Sequence, residues 1–444
     1  MNEDNVTNNE EYENKDIEEL TKLANEGDVH AQYCIGVSYL EGTEVEKDLV
    51  KAVEWFEKAA NQGHARAQYN MGIASVNGKG KEQSYEEAFT WFTRAAEQGH
   101  DGAQYHLTIC YSQGYGVEKD EQKAIEWLKK AAEQGHAVAQ YDLGSCYFKG
   151  NQVEQSYEEA ANWFIKAAEQ DHTDAQFALG IMYSEGAGVP LNYEESVKWY
   201  SKAAEKGHAR AQNDLGTCYE KGCGVKQSSK KAVEWYTKSA EQGYSAGQFN
   251  LGLAYDKGIV QKDIKKAIDL FTKAAEQGEV KAKYNLALKH ISGEGLEKDY
   301  IKAAEILVKI KSPQVQYVED TLNHMLQKKL ITKEQLKKLE KGEKVTENKT
   351  TKKRNVQVNN KKQKTRNSES VLKVPLIALI ISPIAGCLFG PVAYFIYSAI
   401  NLAPYESEMM TEYVYKWRDI GFYIGVVVAI LIFLYNIVKK IKNK

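Results

Sequence analysis

Residues 103–136 read AQYHLTICYSQGYGVEKDEQKAIEWLKKAAEQGH, and the same frame returns along most of the chain. Trp127 has counterparts at Trp55, Trp91, Trp163, Trp199 and Trp235, each 36 residues from the next. A further copy is one residue shorter and puts Leu270 at that place. Ala-Gln-Tyr opens the frame at 67–69, 103–105 and 139–141. A Leu-Gly pair follows at 143–144, 179–180 and 215–216, then Tyr111, Tyr147, Tyr183, Tyr219 or Tyr255. Three residues later stands Gly114, Gly150, Gly186, Gly222 or Gly258. A period of this length is the mark of stacked supersecondary units, and it bounds every later reading.

Each part of the frame has a physical role. Ala, Leu and Tyr spaced by four residues share one face of a helix, and the small residues among them let a neighbouring backbone approach. Gly114 and its equivalents end that first helix, where positive φ costs glycine little. A short loop leads to a second helix carrying Ala124, Trp127, Ala131 and Ala132 on one face, closed by Gly135. One such pair cannot bury a Trp and a Tyr, whereas stacked pairs can. The predicted fold is all-α: a right-handed α/α superhelical solenoid of about seven to eight helix-pair repeats. Trp55, Trp91, Trp127, Trp163, Trp199 and Trp235 are expected to form its structural core, and truncating one to cost about 3–5 kcal/mol.

The frame resembles the Sel-one-like repeat family, a relative of the tetratricopeptide repeats. The matching residues are the Gly-x-Gly-Val loops at 114–117, 186–189 and 222–225, the Ala-x-x-Trp strings, and Lys-Ala-Ala-Glu-Gln-Gly-His at 130–136. The resemblance covers about residues 17–310 and implies a protein-interaction scaffold or adaptor without catalytic activity. An eighth copy, from Ala282 to Ala304, has Ala287 for Gly and His290 for Tyr, as a terminal unit should. Residues 17–30 read as the second helix of a truncated leading unit. Residues 311–343 read as capping helices, with Val318, Leu322, Met325 and Leu326 on one face and a capping-box pattern at Thr332 and Gln335.

Beyond the repeats the composition changes. Residues 1–16 form an acidic N-terminus, and 344–370 a basic flexible linker. Val374 to Tyr405 and Ile420 to Val438 hold no charged residue. The second run spans 19 residues, and as a helix it would match the roughly 30 Å hydrocarbon layer. Two transmembrane helices are therefore expected, at 371–404 and 420–438, joined by an external loop at 405–419. Lysines and arginines precede the first span and occupy the basic tail 439–444, which places both termini and the repeats in the cytoplasm, at the inner membrane. Residues 349–373 could also hold anionic lipid.

The net charge of -3 leaves no electrostatic footprint for nucleic acid. Five histidines (His64, His100, His136, His172, His208) share one turn of successive repeats, too far apart for a common metal, and read as turn caps. Cys110, Cys146 and Cys218 likewise share one position and read as small core residues. No catalytic, cofactor-binding or metal site is expected. Function should lie where the units differ. In a stack of this type the first helices line the concave surface. The residue after Ala-Gln-Tyr varies as Asn70, His106, Asp142, Asp214 and Asn250, and the residue before the helix-ending Gly as Gln113, Lys149, Glu185 and Lys221. These are the candidate partner-binding residues, for an extended peptide or partner helix. The competing reading makes the repeats a regulatory domain of a small membrane transport or envelope component.

Overall fold

The computed structural model describes Tyr12 and residues 15–312 and 315–345. The chain divides into two units, 1–366 and 367–444. The acidic segment 1–11, the linker from 346 onward, both expected spans, the external loop and the basic tail lie outside the described residues. Among the described residues no helix is long and apolar enough to cross a membrane.

The described residues are all-α. A leading helix, α1 (Ile17–Asn25), precedes eight helix pairs. Unit 1 is α2 (Val29–Glu41) and α3 (Leu49–Asn61), and unit 2 is α4 (Ala65–Asn77) and α5 (Tyr85–Glu97). Unit 3 is α6 (Asp101–Gln113) and α7 (Glu121–Glu133), and unit 4 is α8 (Ala137–Lys149) and α9 (Tyr157–Glu169). Unit 5 is α10 (Thr173–Glu185) and α11 (Tyr193–Glu205), and unit 6 is α12 (Ala209–Lys221) and α13 (Ser229–Glu241). Unit 7 is α14 (Ser245–Lys257) and α15 (Ile264–Glu276), and unit 8 is α16 (Val280–Ser292) and α17 (Tyr300–Ile310). Two closing helices follow, α18 (Gln316–Gln327) and α19 (Lys333–Glu340). From α1 to α17 each helix packs on the next in chain order, and α17 packs on both closing helices, which makes the described residues a solenoid.

Local chemistry sets the helix length. The second helices begin on Asp48, Ser84, Asp120, Ser156, Asn192, Ser228, Asp263 and Asp299, each accepting a first-turn backbone N–H. The first helices end on a left-handed glycine, as Gly114 does at φ 77°. The second glycine of the Gly-x-Gly loop has a different reason. A Cβ on Gly116 would stand 2.1 Å from the Tyr85 carbonyl oxygen of the preceding unit, so the loop docks there only as bare backbone.

The tryptophans sit less deeply than the sequence suggests. Trp91 and Trp199 are buried, while Trp55, Trp127, Trp163 and Trp235 are half-buried. Each packs against a cluster shared by the preceding second helix and its own first helix: Trp127 of unit 3, for example, joins Ala88 and Phe92 of unit 2 and Leu107 of unit 3. Its outer face is covered by a cation one turn on, with Lys58 Nζ 3.7 Å from the Trp55 ring centre and Lys130 Nζ 3.9 Å from that of Trp127. The indole thus seals the seam between units, and a half-wet ring gains from a cation where a fully buried one could not.

The residue after the Trp position is buried in every unit: Phe56, Phe92, Leu128, Phe164, Tyr200, Tyr236, Phe271 and Leu307. It lies against the glycine of the Leu-Gly position. A Cβ on Gly144 would fall 2.8 Å from the Phe164 ring, and one on Gly180 2.3 Å from Tyr200. The two units that lack this glycine have Thr108 and Ala287, and in both the facing residue is the smaller Leu128 or Leu307. Ring and glycine are therefore one fitted pair.

Further helices lie at both ends of the eight pairs. Leu20 and Ala24 of α1 are buried against Ala31 and Ile35. Val318, Leu322 and Met325 of α18 are buried beside Leu307, whereas Leu326 is only half-buried. Thr332 and Gln335 form both bonds of the capping box. Unit 8 carries one irregularity: Lys289, on a core position, is buried and ion-paired to Asp256 and to Glu294, the latter at 2.9 Å.

The fitted pair can be tested. Gly144→Ala should cost about 1–3 kcal/mol in urea unfolding, the usual range for overpacking. Adding Phe164→Leu should recover part of that loss, because the pair then imitates Ala287 and Leu307. Simple additivity of the two changes would contradict the fit.

Candidate functional site

The turn between units is the most uniform polar feature of the described residues. His64, His100, His136, His172 and His208 are N-caps of the first helices, each accepting a backbone N–H at Nδ1, as His136 does from Ala139 at 3.2 Å. Acceptance at Nδ1 puts the imidazole proton on Nε2, and His208 Nε2 is 3.3 Å from Asp174 Oδ1. The ring of each also lies on the aromatic residue of the preceding unit. Tyr69 and His100 stack with centroids 4.5 Å apart, and Tyr105 and His136 at 4.8 Å. Burial lowers the pKa of all five, that of His64 to about 4.

Beneath this row runs a glutamine ladder that the sequence reading missed. Gln104 Nε2 donates to Ala96 O at 3.2 Å, and its Oε1 accepts from Gln134 Nε2 at 2.6 Å. The same pairing recurs at Gln32–Gln62, Gln68–Gln98, Gln140–Gln170, Gln212–Gln242 and Gln248–Gln277. It breaks once. Where Gln is replaced by Lys206, that side chain turns to Asp171 at 2.7 Å, and the buried Gln176 Oε1 has no hydrogen-bond partner among the described residues. The signal was present in the repeated Ala-Gln and Glu-Gln-Gly strings, but only the fold brings the two glutamines together.

The candidate partner-binding residues separate into two groups. Gln113, Lys149, Glu185 and Lys221 are exposed at the ends of the first helices. Asn70, His106, Asp142, Asp214 and Asn250 are half-buried, and four of the five are already engaged. His106 Nδ1 lies 2.9 Å from Gly102 O, and its ring packs on Phe92 at 4.7 Å. Asp142 accepts from the Tyr105 hydroxyl at 2.9 Å, Asp214 from Asn213 at 3.0 Å, while Asn250 donates to Asn213 at 2.8 Å. Burial raises the pKa of both aspartates. They are therefore held carboxylates with limited solvation rather than freely solvated charges, and His106 belongs largely to the packing.

Among the described residues no group of three or more His, Cys, Asp or Glu could hold a metal ion. Burial pushes the Cys110 thiol up to about 11 and Cys218 up to about 12, so neither is a thiolate at neutral pH.

The Sel1 repeat family model matches this chain eight times, at 29–64, 65–100, 102–136, 137–172, 173–208, 209–244, 245–279 and 280–309. The chain belongs to the Sel1 repeat family. Repeats of this family generally serve protein–protein interaction rather than catalysis. The solved structure of c5321, a protective antigen of uropathogenic Escherichia coli with an SLR fold, is similar at 28% identity and a TM-score of 0.50, over 81% of this chain and 99% of that one. A Sel1 repeat protein from Oxalobacter formigenes is similar at 30% identity and a TM-score of 0.48, over 55% of this chain and 96% of that one. No curated protein sequence matches the chain.

The capping histidines give a pH prediction with a definite sign. An unfolded imidazole titrates near its usual value of about 6.5, whereas the folded ones titrate lower, His64 at about 4. Between these values the unfolded chain binds protons that the folded chain does not. The contribution to stability is complete above pH ~6.5 and is lost as pH falls toward the folded pKa. The urea midpoint should therefore drop between about pH 7 and pH 5. Replacing the five histidines by Asn, which caps without titrating, should flatten that dependence.

Proposed function

We propose that this protein is a membrane-anchored adaptor whose first-helix face binds a segment of another protein. The observation that carries the reading is the contrast within each unit. Core ring, capping residue and ladder glutamine recur nearly unchanged, while Asn70, Asp142, Asp214 and Asn250, with Gln113, Lys149, Glu185 and Lys221, differ from unit to unit along one face. A frame that must stack leaves only such positions to specify a partner. Half-buried acids and amides already held by neutral donors are preorganised acceptors, suited to backbone or side-chain N–H groups of an extended peptide or helix.

The anchor in this proposal is the C-terminal pair of spans, 371–404 and 420–438, built on the uncharged runs 374–405 and 420–438. Both are long enough to span a bilayer, and the basic residues flanking them favour a cytoplasmic repeat domain at the inner membrane. The basic stretch 349–373 would then lie beside the cytoplasmic leaflet, where anionic headgroups are its natural counter-charge.

Two experiments test the parts separately. Pull-down from native membranes with Asn70→Ala, Asp142→Asn and Asp214→Asn combined should lose the partner while the circular dichroism spectrum is unchanged. Undiminished capture removes the first-helix face from consideration. For the anchor, a cysteine placed at Glu408 should react with a membrane-impermeant maleimide in intact cells, and one placed at Lys442 only after lysis. The reverse pattern inverts the topology, and equal labelling of both excludes the two spans.

A further inference from the structure

The seam between units 6 and 7 is built from different chemistry than the others. Along the first helix of unit 2, the residues facing the next unit are Tyr69, Ile73 and Val76, all packed in the seam cluster. In unit 5 Phe177 and Ile181 serve the same purpose. At the corresponding places in unit 6 stand Asn213, Thr217 and Glu220. The turn residue that would receive the ring stack is Tyr244 instead of His, and it makes no side-chain cap bond.

Polar bonds replace the missing apolar contact. Asn250 donates to Asn213 at 2.8 Å. The buried ring of Tyr236 carries a hydroxyl that donates to Glu220 Oε2 at 2.7 Å and lies 3.2 Å from the Thr217 hydroxyl. A cleft opens at this seam, with Glu220 on its wall. It is shallow, partly open to solvent, and lined by Glu220, Tyr236, Asn250, Val233, Leu253 and Ile259. Glu220 is half-buried, and among the described residues no basic side chain forms an ion pair with it.

From this arrangement we infer that the cleft between units 6 and 7 is a specificity pocket for a lysine or arginine side chain of the bound protein segment. The inference rests on the first-helix face being the binding surface. Val233, Leu253 and Ile259 form apolar walls that match the aliphatic stem of such a side chain. Glu220, oriented by the Tyr236 hydroxyl, meets its charged end, and the Asn250 amide oxygen is a second acceptor. An acidic side chain would meet Glu220 with like charge, and an aliphatic one would desolvate the carboxylate further while leaving it only the Tyr236 hydroxyl as donor.

The test is selection of a random phage-displayed peptide library on the detergent-solubilised full chain and on its Glu220→Gln variant. Gln keeps an acceptor for Tyr236, so the fold should be retained, as circular dichroism will verify. The parent chain should enrich peptides with Lys or Arg at one register, and Glu220→Gln should lose that enrichment. A selected peptide should bind Glu220→Gln about tenfold or more weakly, the loss expected for one charged hydrogen bond. Glu133→Gln, on an exposed second-helix position outside the cleft, should bind it as the parent does. Enrichment of peptides without a fixed cation, or equal binding to Glu220→Gln, overturns the pocket and leaves the first-helix face standing. Failure of the parent to enrich any peptide overturns both. If a selected peptide carries a fixed Gln or Asn instead, the cleft reads neutral amides and the cationic pocket is wrong.

Discussion

In six of the eight units a ring from the second helix lies against the glycine backbone of the first, and nearly everything else in the solenoid depends on that contact. Phe164 sits where a Cβ on Gly144 would have to be, and Tyr200 where one on Gly180 would be. The contact sets the distance between the paired helices. That spacing in turn determines where the next unit's alanines and tryptophan arrive. Where the glycine is lost the ring is lost with it, as at Thr108 and Leu128, so the constraint concerns shared volume rather than either residue alone.

Polar groups are organised around this spacing and are repeated as strictly. Five of the eight first helices begin on an imidazole that is both a cap and a lid over the aromatic ring of the preceding unit, as His100 is over Tyr69. Glutamines below it, such as Gln104, satisfy a helix-end carbonyl and receive the next glutamine, a pattern broken at Gln176. These bonds are individually modest, but an unsatisfied group at the same depth would cost more than each bond returns. Register between units is therefore specified by hydrogen bonding while the stacking energy comes from apolar contact.

A scaffold made this way has little freedom in its core and turns, which concentrates its individuality in a few places. Units 6 and 7 hold the largest local departure: Asn213, Thr217, Glu220, Ser239, Tyr244 and Gly247 all differ from the frame. They differ in concert. Ser239 donates to the Ala209 carbonyl at 2.8 Å, and a Cβ on Gly247 would meet the Ser239 hydroxyl at 2.3 Å. Such matched changes keep the stack continuous while replacing an oily seam with a polar one, and α12 and α14 pack directly there.

Helix count, the repeat, the glycine-ended first helices, the capping histidines and both end caps could all be read from periodicity. They follow from local rules: which residue tolerates positive φ, which side chain can cap, which positions share a helical face. The depth of each residue could not be read that way. The tryptophans looked like the core because they are large and regular, yet the fold buries the residues that follow them and leaves four indoles half-exposed under a cation. Likewise Asp142 and His106 looked like free groove residues, and only packing across units showed them held by Tyr105 and Phe92. Local sequence determines what a helix is and where it stops. Burial and pairing are decided between residues about 20 to 37 positions apart, such as Gly144 and Phe164 or Asn213 and Asn250, and only the stacked chain brings these together.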